Sequence, residues 1–314
     1  MYCISLPSSD PAINLAADEY FLKNTRDEFL LLSINDPSVI IGKHQSAHIE
    51  SDTRYLTTNN IPVLRRISGG GAVFHDHGNL NFSFISNSSA GRQVDFRKYT
   101  APVIEFLRQL GVTASFEGKN DLKVDGLKIS GNAEHVFRER VLHHGTLLFG
   151  SDMNALHGSL RSDQSAYSSK GVASNPSRVT NLRELNTGLN SAYELRDRML
   201  DFFVSSGINT QMVYTNEQAE AIASLADKRY RTWDWNYAYG PAYSFEKKSH
   251  YEGAEIIVKL SVRDGIIQES EIISKGKFSG NPSLEGCRHM PGAIVEHLEN
   301  AGYSINIEGT FLFF

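Results

Sequence analysis

The stretch RRISGGGAV, residues 65–73, places two arginines just ahead of three consecutive glycines. Three glycines in a row weaken a helix or a strand, because each loses more chain entropy on ordering than other residues do. Taken alone, they read as a tight turn between strands. A glycine loop after a strand can also wrap a ligand, since bare amides approach it and no Cβ intrudes. Arg65 and Arg66 alternate in direction on the preceding strand, so only one can face a ligand held there. Arginine suits a phosphate because its planar fork donates two parallel charge-assisted hydrogen bonds. The spacing fits neither GxGxxG nor GxxxxGK[ST], so neither a Rossmann nor a Walker site is supported.

Lys128 is the second informative residue. In LKISGNAEH (127–135), Leu127 and Ile129 would face one way along a strand and Lys128 the other. Ser130-Gly131-Asn132-Ala133 then reads as another turn of small residues. A lone strand lysine is usually solvated. Here the arrangement at Arg66 repeats, a basic side chain at a strand end followed by Ser-Gly, and two such elements could enclose an anion from both sides. His75-Asp76-His77 and His143-His144 offer imidazoles, but no Cys cluster and no HExxH accompany them, so no metal ligands are assigned. No GxSxG elbow occurs. Cys3 and Cys287 lie outside every glycine or basic cluster, which argues against a thiol nucleophile.

The elements that must position these residues follow from pattern. Pro11 to Asn24 reads as a helix, with Ile13, Ala16, Ala17, Tyr20 and Phe21 at helical spacing and Asp10 placed to cap it. Phe29 to Ile34, Val39 to Gly42 and Pro62 to Ile67 read as strands, the last running into the glycines. Leu80, Phe82 and Phe84 alternate with polar residues, which predicts a half-buried strand. Val103, Phe106, Leu107 and Leu110 mark a helix stopping at Gly111. Asp125-Gly126 predicts a type I′ hairpin, and Leu142 to Phe149 another strand. Helical patterns follow near 192–205 and 216–229.

Aromatics and both tryptophans cluster at 230–250, where Gly240-Pro241 breaks regular structure. This is the expected junction, and a hinge is expected there. Beyond it come a hairpin about Asp264-Gly265, a helix near 291–301 and a last short strand. Strands and helices mix without strict βαβ alternation, which favours an α+β fold over a doubly wound sheet.

At 314 residues the chain has room for about two domains of roughly 150 residues. Net charge −5 and a pI of about 6.1 argue against a general nucleic-acid or membrane-surface binder. Two distant cysteines read as free thiols of a reducing compartment. The N-terminal residues lack a cationic stretch and carry acids by position 10, so no signal peptide is expected. With 40% hydrophobic residues, 21% charged and a mean hydropathy of −0.31, a globular cytoplasmic protein is the expectation.

The segments RRISGGGAVFHDHGNLNFSFI (65–85), GKNDLKVDGLKISGNAE (118–134), HHGTLLF (143–149) and SRVTNL (177–182) together resemble the lipoate–protein ligase A family. VIIGKHQ (39–45) is similar too, and TWDWNY, together with the residues C-terminal to it, resembles the family's C-terminal accessory domain. The resemblance implies a catalytic domain, residues 1–240, of mixed and antiparallel sheet flanked by helices, as in biotin ligases. A small α+β accessory domain, 241–314, would follow. It implies that lipoate and MgATP give lipoyl-AMP and pyrophosphate. The lipoyl group would then pass to a lysine of a 2-oxoacid dehydrogenase E2 subunit or a glycine-cleavage H protein.

Carried over by motif, Arg66 would contact the nucleotide phosphates, and the backbone of Gly70, Gly71, Ala72, Val73 and Phe74 would hold the adenylate. Lys128 would be catalytic, contacting the lipoyl carbonyl region and the α-phosphate. Asp121 would orient Lys128 or the adenine end. The lipoyl tail would need a narrow apolar slot. Amidotransferases of the superfamily use a cysteine, and biotin ligases a GRGRxGR-type loop; this chain has neither near the motifs. Ending at Phe314, it is early for a full accessory domain, and family members with an incomplete one tend to use preformed lipoyl-AMP. A transferase of that kind, and a non-catalytic adenylate-binding sensor, are the alternative readings.

Overall fold

Apolar residues on both faces of a strand demand cover on both sides, and that requirement organises the first two thirds of the chain. The computed structural model describes residues 1–88, 95–161, 163–175, 177–205, 207–251, 253–274 and 282–314. Its strands in order are β1 (Tyr2–Ser5), β2 (Phe29–Ile34), β3 (Ser38–Ile41), β4 (Val63–Arg65), β5 (Val73–His75) and β6 (Asn79–Asn87). There follow β7 (Ser115–Glu117), β8 (Asp121–Val124), β9 (Leu127–Phe137), β10 (Arg140–Leu148), β11 (Tyr167–Ser169) and β12 (Thr210–Gln211). Eight of them form one mixed sheet in the order β12-β1-β2-β6-β10-β9-β8-β7, parallel across its first two pairings and antiparallel thereafter. A three-stranded sheet, β4-β3-β5, lies beside it.

In β2, Leu30, Leu32 and Ile34 join one hydrophobic cluster while Phe29 and Leu31 join another. Helices Phe96–Gln109 and Ala192–Val204 supply Val103, Phe106, Leu195, Met199 and Phe203 to the first. Helix Pro11–Asn24, capped by the Asp10 carboxylate on Ala12 N–H, covers the opposite face together with Asn216–Leu225. A buried carboxylate, Glu19, fastens the next turn, Ala226–Tyr230, by accepting from Tyr230 OH at 2.7 Å and from Arg229.

Two expectations change in this sheet. β6 is not half-buried: Leu80, Phe82, Ser83, Phe84, Ile85 and Ser86 are all buried, because β2 and β10 flank it and helices cover both faces. Residues 130–133 are not a turn either. β9 runs unbroken through Ser130-Gly131-Asn132-Ala133, and its ladder to β8 and β10 overrides the small-residue signal.

A second sheet contains β13 (Tyr243–Tyr251), β14 (Ala254–Arg263) and β15 (Ile266–Ser274), with β11 added from upstream at its edge. Both expected hairpin pairs take left-handed φ values, 50° and 76° at Asp125-Gly126 and 52° and 68° at Asp264-Gly265. Helix Pro291–Asn300 packs Ile294 and Leu298 on this sheet. The expected last strand is instead a helical turn, Ile307–Thr310, and a 3₁₀ turn, Phe311–Phe313. Asn306 caps it on Gly309 N–H at 2.9 Å, so the four-residue apolar run that follows is inserted into a core rather than laid along a sheet edge. No helix among the described residues is long and apolar enough to cross a membrane.

That core contains two buried imidazoles, His48 and His289, with ring centroids 4.8 Å apart. His289 Nε2 donates to the Phe313 carbonyl at 2.7 Å, which leaves Nδ1 to accept from Tyr243 OH. Burial holds His48 well below its ordinary 6.5 and takes His289 down to about 4. The unfolded chain protonates both rings more readily than the folded chain does, so stability is full above about pH 6.5 and falls as the pH drops toward 4. Urea unfolding at several pH values should show that decline in the natural chain. His289→Gln should be less stable at neutral pH but decline less steeply.

Candidate active site

The glycine loop joins β4 to β5 and hangs on the two arginines at its start. Arg65 is wholly buried. Its Nη1 donates to the carbonyls of Gly42, Lys43 and Gln45, its Nε to that of Trp235 and its Nη2 to that of Asn236. Arg66 points the other way, into the loop. Its Nη2 donates to the Gly69 and Gly71 carbonyls at 2.7 Å each, Nη1 to Ile40 O at 3.0 Å and Nε to Ser68 Oγ at 3.0 Å. Burial lowers both guanidiniums from 12.5 to about 10, so both stay charged at neutral pH.

Gly70 has φ +91°, a conformation that L side chains rarely adopt. The same turn dictates Gly42, where a Cβ would stand 2.1 Å from the Gly70 carbonyl oxygen. The third glycine, Gly71, leaves room for a neighbour: a Cβ there would lie 3.0 Å from Ser174 Oγ.

Across from the loop, Lys128 Nζ pairs with Asp121 Oδ1 at 2.8 Å. Gly131 gives that side chain room, since a Cβ would come within 3.1 Å of both Cε and Nζ. The backbone of Lys128 also joins a further chain segment, accepting from Thr180 N–H and donating to Arg178 O. Asn132 ties the turn before Asp121 to β9, since its side chain and its N–H both donate to Asn120 O while Asn120 donates back to Asn132 O. Gly145 makes that possible: a Cβ on it would sit 2.3 Å from Asn132 Oδ1.

These elements enclose a cavity of about 640 Å³. Of the residues singled out by sequence, Arg66, Gly70, Gly71, Ala72, Val73, Asp121 and Lys128 line it. Phe74 is turned into the small-sheet core with Val39, Ile41 and Leu56. The lining of the cavity as a whole is mixed in polarity. Leu15, Ile40, Val73 and Phe96 alternate with Asn14, Asp18, Asn35, His75, Asn81 and His144.

Sequence reasoning missed those polar residues. The available signal was Asn14 and Asp18 inside an apolar helix pattern, both buried in the structure. His144 Nε2 meets Ser68 Oγ at 2.6 Å and its Nδ1 meets Asp18 Oδ2 at 3.3 Å, so it ties the helix to the loop. His75, lowered to about 3 by burial and then by Arg66 and His144, is neutral and accepts at Nδ1 from Asn35.

Among the described residues no group of three or more His, Cys, Asp or Glu is placed to hold a metal ion. Both cysteines are buried away from the cavity, and burial raises each thiol to about 11.

A helix-covered mixed sheet that aims a glycine loop and a lysine into one cavity marks the class. The family described as Lipoyl protein ligase A/B catalytic domain matches residues 10–204, a span that holds every residue of the cavity lining. The chain belongs to the lipoate–protein ligase family and is an enzyme. It is 37% identical over 302 residues to Lipoate–protein ligase 1 of Staphylococcus aureus, covering 93% of this chain and 90% of that one.

Among solved structures, protein Ta0514 of T. acidophilum with bound lipoic acid aligns at 27% identity and TM-score 0.63, covering 75% of this chain and 98% of its own. A bipartite lipoate protein ligase of Thermoplasma acidophilum, solved in a study that includes its E2 lipoyl domain, gives 27% and 0.62 over 75% and 95%. A lipoate-protein ligase A bound with ATP gives 27% and 0.64 over 75% and 97%.

Lys128→Ala should reduce ligase activity about a hundredfold, the scale of one lost charge-assisted contact. Its melting temperature should be nearly unchanged, because the side chain is partly exposed. Gly131→Ala, which presses on Nζ without removing it, should cost about tenfold, one decade being about 1.4 kcal/mol. Equal activity of all three chains in a lipoylation assay would remove Lys128 from the chemistry.

Proposed function

We propose that the cavity binds lipoate and ATP, joins them as lipoyl-AMP, and passes the lipoyl group to a lysine of an acceptor protein. The observation that carries this reading is Lys128, paired with Asp121 and facing the arginine-held glycine loop across one cavity. The lipoic acid and ATP bound to the similar structures support it.

In the first step a lipoate carboxylate oxygen attacks the α-phosphorus and pyrophosphate leaves. Two anions must approach each other, and Lys128 lowers that repulsion from the cavity wall. Arg66 is assigned to the nucleotide phosphates; to reach them it exchanges the Gly69 or Gly71 carbonyl for a phosphate oxygen. The backbone from Gly70 to Phe74 is assigned to the adenylate, with Gly70 to Val73 facing it and Phe74 anchoring the strand. In the second step the acceptor amine attacks the lipoyl carbonyl, AMP departs and the amine loses a proton. Lys128 then stabilises the oxyanion that forms on that carbonyl. Asp121 keeps Nζ aimed inward throughout.

Mg²⁺ fits as the counter-ion of the nucleotide, because it is commonly held by substrate phosphates and one or two carboxylates. Asp18 and Asp121 are the carboxylates that line the cavity. We assign residues 1–240 to the catalytic domain and 241–314 to an accessory domain. E2 lipoyl domains, as in the T. acidophilum system, and glycine-cleavage H protein are the proposed acceptors. The cytoplasm is the proposed compartment.

Lipoate and MgATP without acceptor should release pyrophosphate. Transfer only from supplied lipoyl-AMP would instead favour the transferase, and binding of lipoyl-AMP without transfer would favour the sensor. Intact-mass spectrometry during turnover should find neither Cys3 nor Cys287 acylated, since buried thiols raised to about 11 are protonated and poor nucleophiles. An acyl-cysteine there would move the chain to the amidotransferases.

A further inference from the structure

Glu134 and His143 form a polar pair inside the apolar core, and the chemistry described above does not use it. They are cross-strand partners on β9 and β10, with Glu134 Oε1 2.8 Å from His143 Nδ1. Their side chains are 1% and 0% exposed. Tyr99 stacks on the imidazole at 4.9 Å and Phe96 meets it edge-on at 5.6 Å, while Phe82 and Phe84 lie beyond at 6.3 and 6.5 Å. Replacing such a buried pair by apolar residues of similar size is often neutral or stabilising, so packing alone does not account for it.

The other ring nitrogen points toward the cavity wall, where Nε2 stands 3.2 Å from Asn132 Oδ1. Both hydrogens of the Asn132 amide are spent, on Asn120 O at 3.0 Å and on Ser130 Oγ at 3.2 Å. Its oxygen therefore faces the ring, and Nε2 must donate. Burial lowers the pKa of the ring against the pull of Glu134. The hydrogen on Nε2 belongs both to the charged ring and to the neutral tautomer that this contact selects. Asn132 lies in the cavity wall and clasps Asn120, the residue before Asp121. Asp121 in turn pairs with Lys128 Nζ. On its other side, Glu134 Oε2 accepts from Asp95 N–H at 3.2 Å, directly ahead of Phe96, which also lines the cavity. An unbroken run of contacts thus joins a pair in the core to the lysine that faces the glycine loop.

We propose that Glu134 and His143 are positioning residues, which fix the Asn132 amide, hold the Asn120–Asp121 turn through it and so set where Lys128 Nζ stands in the cavity. Glu134 fixes the rotation of the ring, because turning the ring over would bring carbon atoms to both acceptors. The inference rests on the role given to Lys128, and its test separates the two.

Pyrophosphate release with lipoate and MgATP is measured alongside acetylation of Lys128 by acetic anhydride, read by peptide mass spectrometry against exposed lysines. His143→Phe combined with Glu134→Leu replaces the pair by apolar side chains suited to the aromatic surroundings, so the melting temperature should hold. Its kcat should fall about tenfold, one decade being about 1.4 kcal/mol, with KM for lipoate and ATP within about twofold. Lys128 should be acetylated about threefold faster, as its tie to Asp121 loosens. In a Lys128→Ala background the same pair of substitutions should cost less than about twofold, since changes acting through one residue are not additive. Asn132→Ala cuts the same run nearer the cavity, leaves the pair in place and should reproduce each effect. Glu134→Gln offers an amide hydrogen to Nδ1 and should keep kcat within about threefold. Unchanged kcat and acetylation in the folded variants, or an equal loss of kcat with and without Lys128, would overturn the proposal. If Lys128→Ala alone left the rate unchanged, the catalytic role of Lys128 would fall, and the acetylation rate would still decide whether the pair positions it.

Discussion

Two guanidinium groups taken out of water hold up the backbone on which the site is built. Neither Arg65 nor Arg66 has a carboxylate partner among the ion pairs of the described residues. Their charge is compensated by carbonyl dipoles instead, five around Arg65 and three around Arg66. This suits a loop that has few side chains to pack. Irregular backbone leaves carbonyls without ladder partners, and each buried one would cost about 1–3 kcal/mol if unmet. A fork with five fixed donors can gather such carbonyls into one shape, whereas a lysine has three donors on a point charge.

The same group couples parts of the chain far apart in sequence. Arg65 N–H donates to Asn236 Oδ1, and Trp235 Nε1 returns a bond to Arg65 O at 2.7 Å. The aromatic junction is therefore bolted to the strand that opens the glycine loop. Trp233 stacks under Arg288, 4.4 Å from the guanidinium carbon, and abuts Gly265 of the second sheet. The two tryptophans thus face different partners within three residues. Gly240 and Pro241, within the stretch where a hinge is expected, are themselves packed closely: a Cβ on Gly240 would stand 3.1 Å from Gln45 O and 3.2 Å from Arg65 Nη2, and one on Gly171 would meet Pro241 Cγ at 2.7 Å.

Much of the fold was legible because period and turn chemistry agreed with it. Asp10-Pro11 starts its helix, and the two Asp-Gly pairs turn their hairpins, as local rules require. The misreadings share one cause: tertiary partners override a local signal. Ser130 to Ala133 reads as a turn until β8 and β10 pair on either side of it. The final apolar run reads as a strand until the core around His48 and Tyr243 receives it. Arg66, the glycines and Lys128 were legible as a site because their types are unusual for strand ends. Asn14, Asp18, Asn81, His144 and Ser174 were not, since only the folded sheet shows that these ordinary polar residues converge. Nothing in the spacing of Glu50 and Ser174 announces a contact across 124 positions.

The edge strand β11 carries a topological implication. It lies in the second sheet, paired with β13 through Tyr167, Ser168 and Ser169. Ten residues further on, Val179 is bridged to Lys128 in the large sheet. The segment between them is thus strung between two sheets, fixed at Ser169 on one and at Val179 on the other. A span of that length reaches at most about 35 Å when fully extended. The cavity wall at Val172 and Ala173 thus lies on a segment whose two ends belong to different sheets.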